Sequence, residues 1–75
     1  MTEAEIIHCA ISIGADCGVK SWMELKKLVL VSIPPNDRTN FSVRDAKTKK
    51  QRINGFERRL INDYHSQTGV MLEEL

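Results

Sequence analysis

Eight of the eleven Lys and Arg in this 75-residue chain fall between positions 38 and 59: Arg38, Arg44, Lys47, Lys49, Lys50, Arg52, Arg58 and Arg59. The same stretch holds two acids, Asp45 and Glu57, so it carries +6 while the remaining residues carry −5, within a formal total of +1. Such a local surplus is chemistry for a polyanion. Lys and Arg neutralise phosphates and release their counterions, and a guanidinium pairs bidentately with phosphate or guanine. The total alone argues against a strongly basic nucleic-acid binder and against an acidic tail, so any such function rests on where the charge lies.

The other chemically active residues form no recognisable machine. His8, Cys9, Cys17 and His65 lack the Cys-x2-Cys or His-x3-His pairs of a zinc module, and adjacent His8 and Cys9 point about 100° apart on a helix. Cys9 reads as a small apolar core thiol and His8 as a solvent-facing imidazole. Nothing local gives Cys17 a base or an oxyanion site. Gly14 and Gly18 lack the lysine, the hydroxyl and the preceding strand of a phosphate-binding loop. The expectation is therefore no catalytic residue, no metal and no cofactor. With four aromatic residues in all, no basic-aromatic surface of the single-strand-binding type is expected either.

Composition bounds the architecture. The chain is 41% apolar and 28% charged, which suits one folded domain. So short a chain buries only about 60% of the surface it exposes when unfolded, and a second copy would help its thin core. The N-terminal Met1-Thr2-Glu3-Ala4-Glu5 is acidic where a secretory signal is basic, although the apolar stretch from Ile6 to Ile13 superficially resembles an h-region. Leu28 to Ile33 falls far short of the roughly 20 residues that cross a bilayer. A cytoplasmic protein with no membrane partner and two reduced cysteines is expected. On one helix, Cys9 and Cys17 would stand roughly 12 Å apart, too far for a disulfide.

Three helix starts share one signature, a hydroxyl that can accept from an orphan amide followed three residues on by an acid: Thr2 with Glu5, Ser21 with Glu24, Ser42 with Asp45. The first helix is predicted over about 3–13, ending in the glycine-bearing stretch 14–18. Its apolar residues Ile6, Ile7, Cys9, Ala10, Ile11 and Ile13 share a broad arc. The second is predicted over 22–32, stopped by Pro34 and Pro35. A strand over Leu28 to Ile33 is the rival reading, because its Val-Leu-Val-Ser-Ile run is β-branched. Residues 36–40 form a polar connector. The third helix is predicted over 43–68 with Gly69 as its cap and Gly55 as its weak point, either as one continuous helix about 39 Å long or as two nearly collinear ones. The fold class is all-α, a small three-helix domain with a long amphipathic C-terminal helix.

The second helix is apolar nearly all round: Trp22, Leu25, Leu28, Val29 and Ile33 share a face, while Met23, Leu30 and Val31 decorate the rest. Trp22, Met23, Leu30 and Val31 are accordingly assigned to an interface, with a homodimer as the expected assembly. On the third helix, Val43, Ala46, Ile53, Phe56, Leu60, Ile61 and Tyr64 fall in one arc of about 140°. The opposite arc contains Arg44, Lys47, Thr48, Gln51, Arg52, Gly55, Arg58, Arg59, Asn62, His65 and Ser66, and no acid. Ordinary solvated faces mix signs, because like charges at i, i+4 are unfavourable.

That face is the candidate binding site. Arg44, Lys47, Arg52, Arg58 and Arg59 would contact phosphates, with Arg58 and Arg59 as the anchors, and Gln51 and Asn62 would reach base edges. The partner so implied is DNA, with RNA the weaker alternative, and the role that of a small regulator or accessory factor. The competing reading is a protein-interaction module, an inhibitor or adaptor that occupies an acidic or nucleic-acid-binding surface of a larger protein. A helix-turn-helix built from the first two helices fits poorly: the connector over 14–21 is too long, and the second helix has no polar face for a groove.

Overall fold

Thr2 opens the first helix through the predicted capping box. Its hydroxyl accepts from Glu5 N (3.2 Å), and the Glu5 carboxylate accepts from Thr2 N (2.9 Å). Those hydrogen bonds hold the Glu5 carboxyl below its ordinary pKa. The computed structural model describes residues 1–42 and 53–74. Within them the elements run α1 (Glu3–Cys17), α2 (Trp22–Ser32), a 3-10 helix (Pro35–Asn40) and α3 (Gly55–Thr68). The fold is all-α; the 28–33 stretch is helical up to Ser32, not a strand.

Helix α1 runs one turn past the expected end, to Cys17. The reason lies in packing rather than in local sequence. Gly14 is buried in the helix interior, where a Cβ would lie 2.8 Å from the Tyr64 hydroxyl oxygen and closer still to the ring edge. The missing side chain is the space Tyr64 occupies. Gly18 takes the left-handed cap at φ 66° instead, and Val19 N donates back to Gly14 O (2.9 Å), a Schellman closure. Tyr64 completes the joint by donating its hydroxyl to Val19 O (2.8 Å). Burial pushes its phenol pKa up.

Helix α2 starts at Trp22 as expected, but the Ser21 side chain makes no capping bond. The amide of Trp22 donates instead to Glu73 O (2.8 Å), and Glu73 N donates to Lys20 O (2.9 Å), so residues 70–74 lie along the α1–α2 connector. At the far end Arg38 Nε donates to Leu30 O (2.8 Å), satisfying a carbonyl of the last turn from the 3-10 helix. α1 packs against both α2 and α3. The core joins Ile6, Ala10, Val19, Trp22, Leu25, Val29, Leu60, Ile61, Tyr64 and Leu72, each almost wholly buried.

Trp22 is 0% exposed and belongs to the core, where it stacks on Phe41 at 6.4 Å. Met23 and Leu30 are half-buried, Leu30 against the core, and Val31 alone of the four interface residues is open, at 75%. The uninterrupted helix over 43–68 is not found: Ile53 and Asn54 are not helical, and α3 begins at Gly55. Asn54 is extended (φ −83°, ψ 178°) because it is an N-cap, its side chain accepting from Glu57 N (2.8 Å). The expected cap at Ser42 with Asp45 involves a residue outside those described.

Candidate functional site

The expected face divides in two. Arg44, Lys47, Gln51 and Arg52 lie outside the described residues. Arg58, Arg59 and Asn62 lie on α3 and are exposed, while Leu60, Ile61 and Tyr64 bury the opposite side, as the periodicity requires. His65 and Ser66 are exposed on the next turn. α3 thus presents a polar, cation-bearing surface one helix wide.

The two arginines differ in what holds them. Arg58 makes a fork-to-fork pair with Glu74, Nη1 to Oε2 at 2.8 Å and Nη2 to Oε1 at 2.7 Å. The pair raises the guanidinium pKa and holds the Glu74 carboxyl below its ordinary value, chiefly through these hydrogen bonds. The arc that contains no acid in helical projection therefore receives one from residue 74. Arg59 lies 3.9 Å from Asp63 Oδ2, the arginine side chain largely in solvent and the aspartate half-buried. An exposed i, i+4 pair of that kind contributes only about 0.3–0.5 kcal/mol, so Arg59 is readily recruited by another anion.

Residues with no binding role in the sequence reading build the base of the site. Glu57, the single acid within the apolar arc, is 0% exposed. Its Oε1 accepts from Ser42 N (3.1 Å) and from Asn54 N (3.1 Å), so one buried carboxylate fastens both flanks of the segment 43–52. Lys26 on α2 completes the clasp, donating to Ser42 O (2.6 Å) and standing 3.3 Å from Glu57 Oε2. Among the described residues, that oxygen's one charged neighbour is the Lys26 ammonium. Asn54 Nδ2 reaches Asn40 O (3.0 Å), and Phe41 meets Phe56 edge to face at 5.3 Å, drawing the same flanks together through apolar contact.

Part of the clasp was legible in the sequence. Asn54 with Glu57 is the capping-box spacing with asparagine in place of a hydroxyl. An acid inside an apolar arc also asks for a buried partner. Nothing in periodicity identifies that partner as Lys26, 31 positions earlier in the chain.

The remaining reactive side chains are dispersed. Cys9 is half-buried and Cys17 exposed, both as free thiols on α1. Among the described residues no group of three or more His, Cys, Asp or Glu is placed to hold a metal ion. No helix among them is long and apolar enough to cross a membrane. The connector between α1 and α2 is only 18–21, shorter than the sequence suggests and within the length of a helix-turn-helix turn; α2 buries Trp22, Leu25 and Val29, and its exposed side carries Glu24, Lys27, Val31 and Ser32, where the acid and the apolar Val31 suit a phosphate-lined groove poorly. Comparison with protein-family models, with curated proteins and with solved structures returns no match for this chain.

Proposed function

We propose that the chain is a small nucleic-acid-binding regulator or accessory factor of the cytoplasm, acting by binding rather than catalysis, with DNA as its ligand and RNA the weaker alternative. The observation that carries this reading is the segregation of charge about the clasp. Segment 43–52 holds five basic residues and one acid, a net +4, while all other residues together sum to −3. Both ends of that segment are fastened to one buried carboxylate. In this reading Arg44, Lys47, Arg52, Arg58 and Arg59 take phosphates and Gln51 and Asn62 take base edges.

The test is titration of a labelled duplex across a salt series. Five phosphate contacts give a slope of log K against log salt near −4.5. Arg59→Glu should abolish binding at moderate salt. Absence of binding at low salt, or an affinity indifferent to salt, overturns the reading.

A second reading, a module that binds an acidic protein surface, is favoured by the Arg58–Glu74 pair, in which a carboxylate already satisfies this face, and by the 75% exposure of Val31. It predicts a protein complex that survives nuclease treatment and is lost on Val31→Glu.

A further inference from the structure

The position of Glu74 is not that of a side chain that met Arg58 by chance. Residues immediately before it are fixed by structure of their own. Leu72 is 2% exposed in the core, and Glu73 exchanges two backbone hydrogen bonds with the α1–α2 connector, Glu73 N to Lys20 O and Trp22 N to Glu73 O. The Glu74 carboxylate is thereby delivered to α3 by a tethered backbone, at the high effective concentration that tethering confers. It meets both terminal nitrogens of Arg58 at 2.7–2.8 Å, the geometry a phosphate would adopt on the same fork. Both side chains keep a third to a half of their surface open, so the pair is accessible to an incoming anion and is not locked by burial.

We propose that Glu74 is an internal counter-anion that occupies the phosphate position on Arg58, so that a nucleic-acid phosphate engages Arg58 only by displacing it. This rests on the nucleic-acid reading above. It makes the 70–74 segment an autoinhibitory contact: it lowers affinity for the polyanion at one defined position while leaving Arg59, one residue on, in its weaker pairing with Asp63.

The experiment compares duplex DNA binding by the unmodified chain, Glu74→Gln, Glu73→Gln, Arg58→Gln and the Arg58→Gln/Glu74→Gln double variant over a salt series. Glu73→Gln removes the same charge from the adjacent position without touching Arg58, and its backbone bonds to Lys20 and Trp22 remain. The expected result is that Glu74→Gln binds about two- to fivefold more tightly at low salt, the range that loss of one exposed ion pair allows. Its salt slope should steepen by up to about 0.9. Glu73→Gln should stay close to the unmodified chain, and the gain should vanish when Arg58 is already Gln. Equal gains from Glu73→Gln and Glu74→Gln, or a gain that persists without Arg58, overturn the counter-anion while leaving the binding function in place. If none of the five proteins binds DNA at low salt, the function itself falls and the inference with it.

Discussion

At the scale of single residues, the side chains that decide this protein are those whose environment contradicts their type. Gly14 sits in mid-helix, where glycine is unfavourable by roughly 0.5–1 kcal/mol relative to alanine. It stays because Tyr64 occupies the space of its Cβ. Gly14→Ala recovers that helix term but forces the ring aside and breaks its bond to Val19 O, an overpacking cost of roughly 1–3 kcal/mol plus about 1 kcal/mol for the hydrogen bond. The net expectation is a loss of about 1–3.5 kcal/mol, read as a lower urea midpoint. Gly55→Ala is the contrasting case, since no described residue lies within 4 Å of its added methyl. It should be neutral or slightly stabilising, and an equal loss from both variants would show that Tyr64 is not the cause.

At the scale of elements, the clasp converts two helices and a connector into a frame for the segment between Ser42 and Ile53. Glu57 is at once the N3 residue of α3 and the ligand of two amides 12 positions apart, so forming the helix and closing the segment are one event. Lys26→Met leaves the Glu57 charge buried with its Oε2 unopposed, which costs about 3 kcal/mol. Chemical denaturation checks this. Lys26→Met with Glu57→Gln should recover part of the loss, because the neutral amide still offers an oxygen to Ser42 N and Asn54 N without a stranded charge. If Lys26→Met costs less than about 1 kcal/mol, the ion pair is not what holds the clasp. The same elements explain why α3 is shorter than its apolar stripe. The sequence stripe includes Ile53, but Asn54 spends its side chain and its amide on the cap, and α3 starts there.

At the scale of the whole molecule, the expectation of a second copy drew on the apolar girth of α2, and the chain itself meets most of that demand. Trp22 stacks into the core, while Leu30 packs against its edge and has its carbonyl taken up by Arg38 from the 3-10 helix. The homodimer proposal now depends on Val31 and its surroundings. Sedimentation at high micromolar concentration decides it: twice the 8.5 kDa of one chain supports the dimer, and Val31→Glu should then return it to a monomer. A mass near that of one chain sets the proposal aside.

The sequence by itself determined the helical class, the start of α1 and the end of α2, the Gly69 cap and the sides of α3 that face inward and outward. These follow from spacing, capping chemistry and the 3.6-residue period, all local. It also located the charge, because counting needs no coordinates. Only the tertiary structure decided that α1 runs through Gly14, that Glu57 is buried against Lys26, and that Arg58 is paired with Glu74. Each depends on groups brought together from distant positions: Tyr64 lies 50 residues from Gly14, and Glu74 lies 16 from Arg58. A helical projection shows where a side chain points, not what the fold places opposite it. Among the described residues, the face that is acid-free in projection meets two acids in space, Glu74 at Arg58 and Asp63 at Arg59.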